Sequence, residues 1–257
     1  MIKKTSIVLA CAALLAATVA GAAAETIQQH GIRVSFDGKI TPQKLPRSGT
    51  APVAVAVDTE IHGAAGKPQP QLTKIEIAIN RHGHIDPTGL PICKVSDIQP
   101  ATNAKALQAC RGALVGEGHF SASVALNRQA AFPSEGKLLA FNGTYRGKPA
   151  ILAHVYGTEP VPTSFTLPFV IGRSKGTFGS TLTATIPATE DNLVSAIDLE
   201  LHRTFTYRGK RRSYASAGCP APKGVSLAPF VFARASYVFA GGKKLSSTLT
   251  RSCRPRG

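Results

Sequence analysis

Residues 53–61 read Val-Ala-Val-Ala-Val-Asp-Thr-Glu-Ile. Val53, Val55, Val57, Thr59 and Ile61 share one side of an extended chain. Ala54, Ala56, Asp58 and Glu60 share the other. Successive strand side chains point to opposite faces, so this period-two pattern specifies a strand with one buried face. Residues 72–80 repeat it, with Ile75, Ile77 and Ile79 set against Lys74, Glu76 and Ala78. Clean alternation of this kind belongs to antiparallel sheets. His62 to Gln71 holds Gly, Pro and Gln and reads as the loop between them.

The same reading extends outward to 32–37, 118–126, 137–145, 149–158, 163–172, 177–186, 194–207, 211–217, 229–240 and 244–253. One helix interrupts it, near 103–114. Thr102 or Asn103 can cap it, and Ala104, Leu107, Cys110 and Leu114 recur at helical spacing. Many strands, short turns and little helix predict an all-β fold, an antiparallel β-sandwich with that single short helix.

Thr144-Tyr145-Arg146-Gly147-Lys148 recurs as Thr206-Tyr207-Arg208-Gly209-Lys210. Each copy lies between two strand-like segments, so each reads as a hairpin whose Gly takes positive φ. Gly241-Gly242 marks a third hairpin.

The first 24 residues have the form of a secretory leader. Lys3 and Lys4 precede an uncharged apolar run from Ile7 to Ala20, and Ala22-Ala23-Ala24 offers a small-residue cleavage site. Residues 1–24 are therefore expected to be a signal peptide and 25–257 a single β-rich extracellular domain. The stretch 127–136 is the best candidate for an internal boundary. Cys11 makes a poor lipidation site, because bulky Leu9 stands where a small residue is usual. No later apolar run approaches the ~20 residues that a spanning helix needs.

Outside the leader stand Cys93, Cys110, Cys219 and Cys253. An even count in an exported chain reads as two disulfides, with three possible connectivities. Pairing Cys93 with Cys110 and Cys219 with Cys253 closes the two shortest loops, worth about 3 and about 4 kcal/mol of chain entropy. No C-x-x-C pair suggests a metal.

The formal charge of +16 falls to +14 when Lys3 and Lys4 leave with the leader. No acidic residue follows Glu200, and residues 201–257 hold twelve Lys and Arg, which leaves +2 for residues 25–200. The densest cluster is Arg208, Lys210, Arg211 and Arg212, with Arg203 nearby and Tyr207 and Tyr214 flanking it. Cations at a hairpin tip can grip a sulfated or phosphorylated polymer. The absence of Trp and the exported reading speak against nucleic acid.

Three motifs have plainer explanations. Gly172-Arg173-Ser174-Lys175-Gly176 matches the nucleophile-elbow pattern, but a strand rather than a helix is expected after it. His82-Gly83-His84 could present two imidazoles to one face, yet Pro87 follows and nothing marks a further ligand. Asn142-Gly143-Thr144 is a glycosylation sequon by pattern alone. No catalytic residue, metal or cofactor is assigned.

Several segments resemble a family of secreted actinobacterial proteins. They include Gly89-Leu90-Pro91-Ile92-Cys93, Ile98-Gln99-Pro100-Ala101-Thr102 and Ala150-Ile151-Leu152-Ala153-His154-Val155-Tyr156-Gly157-Thr158. Arg211-Arg212-Ser213-Tyr214, Ala217 to Gly224 and Ser246 to Cys253 belong to the same likeness, which covers roughly Leu45 to Cys253. The resemblance implies a bacterial, exported, single-unit protein and places His82 and His84 at variable positions. That family has no assigned activity and so supplies no catalytic residue.

The expectation is an exported, non-enzymatic protein that binds anionic polymer at the cell envelope through its basic C-terminal region. A secreted hydrolase with a dispersed site, or a structural or protein-binding module, are the alternatives.

Overall fold

The structure is a computed structural model that describes residues 24–124, 132–159, 162–187 and 192–256. The expected leader lies outside the described residues up to Ala23, as do positions 127–131 of the candidate boundary. In chain order the elements begin with β1 (Glu25–Gln29), β2 (Ile32–Thr41), β3 (Lys44–Pro46), β4 (Ala51–Pro52), β5 (Ala54–Gly63), β6 (Leu72–Asn80) and β7 (Gly83–Ile85). Then come α1 (Val95–Ile98), α2 (Asn103–Cys110), β8 (Leu114–Val124), β9 (Phe132–Tyr145), β10 (Lys148–Gly157), β11 (Thr163–Arg173) and β12 (Phe178–Thr185). The chain finishes with β13 (Asn192–Leu201), β14 (Thr204–Tyr207), β15 (Lys210–Ser213), β16 (Ala215–Ala217), β17 (Ala228–Phe239) and β18 (Lys244–Arg256).

The all-β class holds. One sheet of thirteen strands carries the fold, in the order β1-β2-β5-β13-β8-β9-β10-β11-β12-β6-β17-β18-β3. All its pairings are antiparallel except β18 with β3. The sheet curls until β18 lies against β1 and β2. There Arg251 donates through Nε to the Gly38 carbonyl at 2.7 Å and its guanidinium pairs with Asp37. The sandwich-like core is thus made by facing walls of one continuous sheet, whose twist accumulates strand by strand.

Alternation decides what faces inward. On β2, Ile32, Val34, Phe36 and Ile40 are buried while Arg33 and Lys39 are exposed. On β5, Thr59 and Ile61 are buried and Glu60 and His62 exposed. Each fully buried side chain of Phe or Leu size contributes roughly 1.5–3 kcal/mol. The walls touch through the Thr59 and Tyr237 hydroxyls at 2.7 Å, and through Phe120 packed edge-on against Phe165 at 5.0 Å. Where β8 meets β13 the backbones approach too closely for a side chain. A Cβ on Gly118 would lie 2.1 Å from the Asp198 carbonyl oxygen.

A second, smaller core lies outside the curled sheet. Leu139, Phe141, Ala150 and Leu152 on β9 and β10 are buried against Ile98, Ala106 and Cys110. This explains why those strands read as continuous apolar runs rather than alternating ones. The Thr102 hydroxyl caps α2 by accepting from the Lys105 amide at 3.3 Å. The helix stops at Cys110, four residues short of the expected end. A 3-10 turn over Arg111–Ala113 leads straight into β8. The Cys93–Cys110 disulfide ties α2 to the β9 wall. Cys219–Cys253 ties the segment after β16 to the end of β18.

The expected strand 194–207 breaks at His202-Arg203. The amide of His202 bonds to the Val115 carbonyl, and the chain leaves the main sheet as the separate β14–β15 hairpin. Beyond Tyr214, β16 joins β4 and β7 in a three-stranded sheet.

Candidate functional site

Strand register places every connection at one of two ends. Leu201 of β13 sits opposite Val55 and Gly116, Phe141 opposite Leu114, and Tyr145 opposite Lys148. Arg173 pairs with Ser180, Phe178 with Asn80, and Ala228 with Cys253. The connections 42–53, 81–113, 146–147, 174–177 and 202–227 therefore share one end with the start of β17 and the close of β18. In those connections the carboxylates are Asp86 and Asp97 alone. The cations include Arg47, Arg81, Arg146, Lys175 and Lys223 as well as the cluster around β14–β15. A charge bias that is C-terminal in sequence becomes a bias of one end in space.

The five residues singled out by sequence divide into three settings. Arg208, Lys210 and Arg211 are exposed at the tip of the β14–β15 hairpin. Arg208 and Gly209 both take positive φ, 50° and 70°, the backbone of a type I′ turn. Arg212 is half-buried. It reaches the Asp86 carboxylate at 2.9 Å and lies 5.7 Å from the Tyr207 ring. Arg203 sits at the foot of the hairpin, where its carbonyl accepts from the Tyr214 amide at 2.8 Å.

Tyr207 anchors this unit. The Arg208 guanidinium stacks over it at 5.2 Å, and its ring leaves no room for a Cβ on Gly89. Partial burial pushes the Asp86 carboxyl up, but hydrogen bonds from Thr88 and the Arg212 guanidinium outweigh this and hold it below its ordinary value. Asp86 is accordingly ionised near neutral pH and neutralises Arg212, and among the described residues the three tip cations have no carboxylate partner.

Sequence reasoning did not join the other basic connections to this cluster. Arg146 and Lys148 flank the β9–β10 turn, beside a groove of about 640 Å³ along the outer wall with Pro168, Val170 and Gly172. Their only local signal was the repeated Tyr-Arg-Gly-Lys.

The remaining motifs are structural. Ser174 lies in the β11–β12 turn, its amide bonded to the Gly179 carbonyl at 3.0 Å, and a strand follows. Asn142 is 4% exposed and its side-chain amide donates to the Pro91 carbonyl at 2.9 Å. His82 occupies the turn before β7, and His84 lies on β7 opposite Ser216. Burial first, then the charges of Arg81 and His84, lower the His82 pKa. Among the described residues the one grouping with metal-ligand spacing is Cys93, Asp97 and Cys110, and its two sulfurs are bonded to each other.

No protein-family model, curated protein or solved structure matches the chain.

Proposed function

We propose that this is an exported, non-enzymatic β protein that binds anionic polymer at the cell envelope through its basic end. One observation carries the reading. Connections far apart in sequence meet at that end with Asp86 and Asp97 as their carboxylates, and Asp86 is already engaged by Arg212. Multivalent attraction of this kind requires no deep pocket and is screened over about 8 Å at physiological ionic strength. Tyr207 and Tyr145 hold their arginines against a ring, which reduces the side-chain freedom lost on binding.

The test is retention on a polyanionic matrix across a salt gradient. Replacing Arg208, Lys210, Arg211 and Arg212 by Ser together should move elution to markedly lower salt. Changing Arg146 and Lys148 to Ser should do so to a lesser degree. Elution unchanged in the quadruple variant, or indifferent to salt in the parent, would return the cluster to an ordinary solvated hairpin.

A further inference from the structure

Inside the curled sheet, beneath the β4-β16-β7 sheet, lies a cavity of about 100 Å³. Its walls come from Phe36 on β2, Ile77 on β6, Phe169 on β11, Leu182 on β12, Leu199 on β13 and Phe232 on β17. Ile85 and Ala215 of the small sheet complete them. Protein interiors rarely leave voids larger than a water molecule, and this one has the volume of about three.

The buried polar side chains that border the cavity, Thr59 and Asn80, are already hydrogen-bonded to the protein. The Thr59 hydroxyl is bonded to that of Tyr237. The Asn80 side chain donates to the Val231 carbonyl at 2.6 Å and accepts from the His82 amide at 2.9 Å. Asp58 belongs to the outer face of β5, since Val57 and Thr59 on either side of it face inward. His84 is exposed, its backbone paired with that of Ser216 across β7–β16, and the His82 ring accepts from Arg81 Nε at 3.4 Å, so the imidazoles lie at the rim. Water inside would find few partners, and a charged guest would lose its hydration without replacement.

We propose that this cavity is a binding site for a small, uncharged apolar molecule, no larger than a single aromatic ring or a short alkyl group. Apolar cavities of about 150 Å³ stay dry and take up benzene. The way in is the small sheet itself. Its strands are two and three residues long, and the Val53 amide to the Ala215 carbonyl and the Asp86 amide to the Tyr214 carbonyl are among the bonds that hold it. Short strands with few ladder bonds open locally far more readily than the thirteen-stranded wall.

Benzene is the probe and benzoate, the same ring with a charge, its control. Methyl resonances of the folded protein should report the site. Benzene should shift Ile77, Leu182 and Leu199 saturably, leave Val170 on the outer wall unmoved, and raise the melting temperature. Benzoate should do neither. Ala215→Leu fills the space beneath the small sheet and should weaken benzene binding at least tenfold. Val57→Ile is a milder filling that keeps the assay open if Ala215→Leu fails to fold, and it should weaken binding severalfold. The proposal is overturned if no saturable shift occurs, if benzoate binds as well as benzene, or if the filled variants bind like the parent.

Discussion

The β9–β10 and β14–β15 hairpins are built from the same five residues and have different fates. At both, Tyr and Lys close a two-residue turn. The arginines take φ 49° and 50° and the glycines 74° and 70°, and each arginine stacks over its tyrosine at 5.2 Å. Yet β9 and β10 run fourteen and ten residues through the main sheet, while β14 and β15 have four each and form a sheet of their own. The turn is local chemistry. What the turn belongs to depends on whether the flanking residues have apolar surface to bury on both faces, as Leu139 to Phe141 and Ala150 to Leu152 do, or carry only charged and polar side chains, as Lys210 to Ser213 do.

The sharpest way to test that contrast is to remove buried surface from the wall hairpin. Leu152 is fully buried, so Leu152→Ala should cost about 3 kcal/mol in denaturant melts. Thr206→Ala on the free hairpin should stay within about 0.5 kcal/mol. Similar losses at the two positions would mean that β14–β15 is as much part of the cooperative core as the wall.

A pH experiment addresses the same wall. His154 on β10 is fully buried, between Leu139 and Thr166 on the adjoining strands, and neither ring nitrogen has a hydrogen-bond partner among the described residues. Burial lowers its pKa. Below about pH 6.5 the unfolded chain therefore binds a proton that the folded protein refuses, and stability falls as pH drops. The slope approaches about 1.4 kcal/mol per pH unit and levels off once the folded pKa is passed. His154→Leu should lose that component between pH 6.5 and 5. A difference curve without slope would place the histidine in contact with water.

The matched glycines sharpen the comparison further. Neither Gly147 nor Gly209 has a neighbour that an added Cβ would strike, so only the positive φ matters. Gly147→Ala should cost about 1 kcal/mol of global stability. Gly209→Ala should cost less in global melts, because β14–β15 can open without unfolding the wall. Equal costs would show that the free hairpin opens only with the whole protein.

Charge also has a small effect on stability. Replacing Arg208, Lys210, Arg211 and Arg212 by Ser should shift the melt by under about 1 kcal/mol, since Arg208, Lys210 and Arg211 are exposed and pack little and the half-buried Arg212–Asp86 pair keeps more than a third of each side chain in water. A larger loss would mean that Arg212 is needed to seat Tyr207 rather than to present charge.

Much of this was legible residue by residue. Alternation located the strands and turn chemistry the hairpins, and the two disulfides join the cysteines nearest in sequence. These depend on backbone dihedrals and side-chain periodicity within a few residues, which the chain carries at every point. Helix α2 ends four residues before its spacing predicts, because Leu114, which suits a helix face, is claimed by β8 opposite Phe141. The break at His202-Arg203 was invisible for a similar reason: the amide of His202 is captured by Val115, far away in sequence.

The site was half legible. The tip cations Arg208, Lys210 and Arg211 stand together in the chain, so their meeting required no folding. Arg212 is different, because Asp86 neutralises it across 126 residues. Folding also gathers Arg47, Arg81, Arg146 and Lys175 to the same end, buries His154, and leaves a cavity between facing walls. Strand order governs all of these. It is chosen by which long-range pairings bury the most apolar surface at the least cost in chain closure, and no window of neighbouring residues contains that choice.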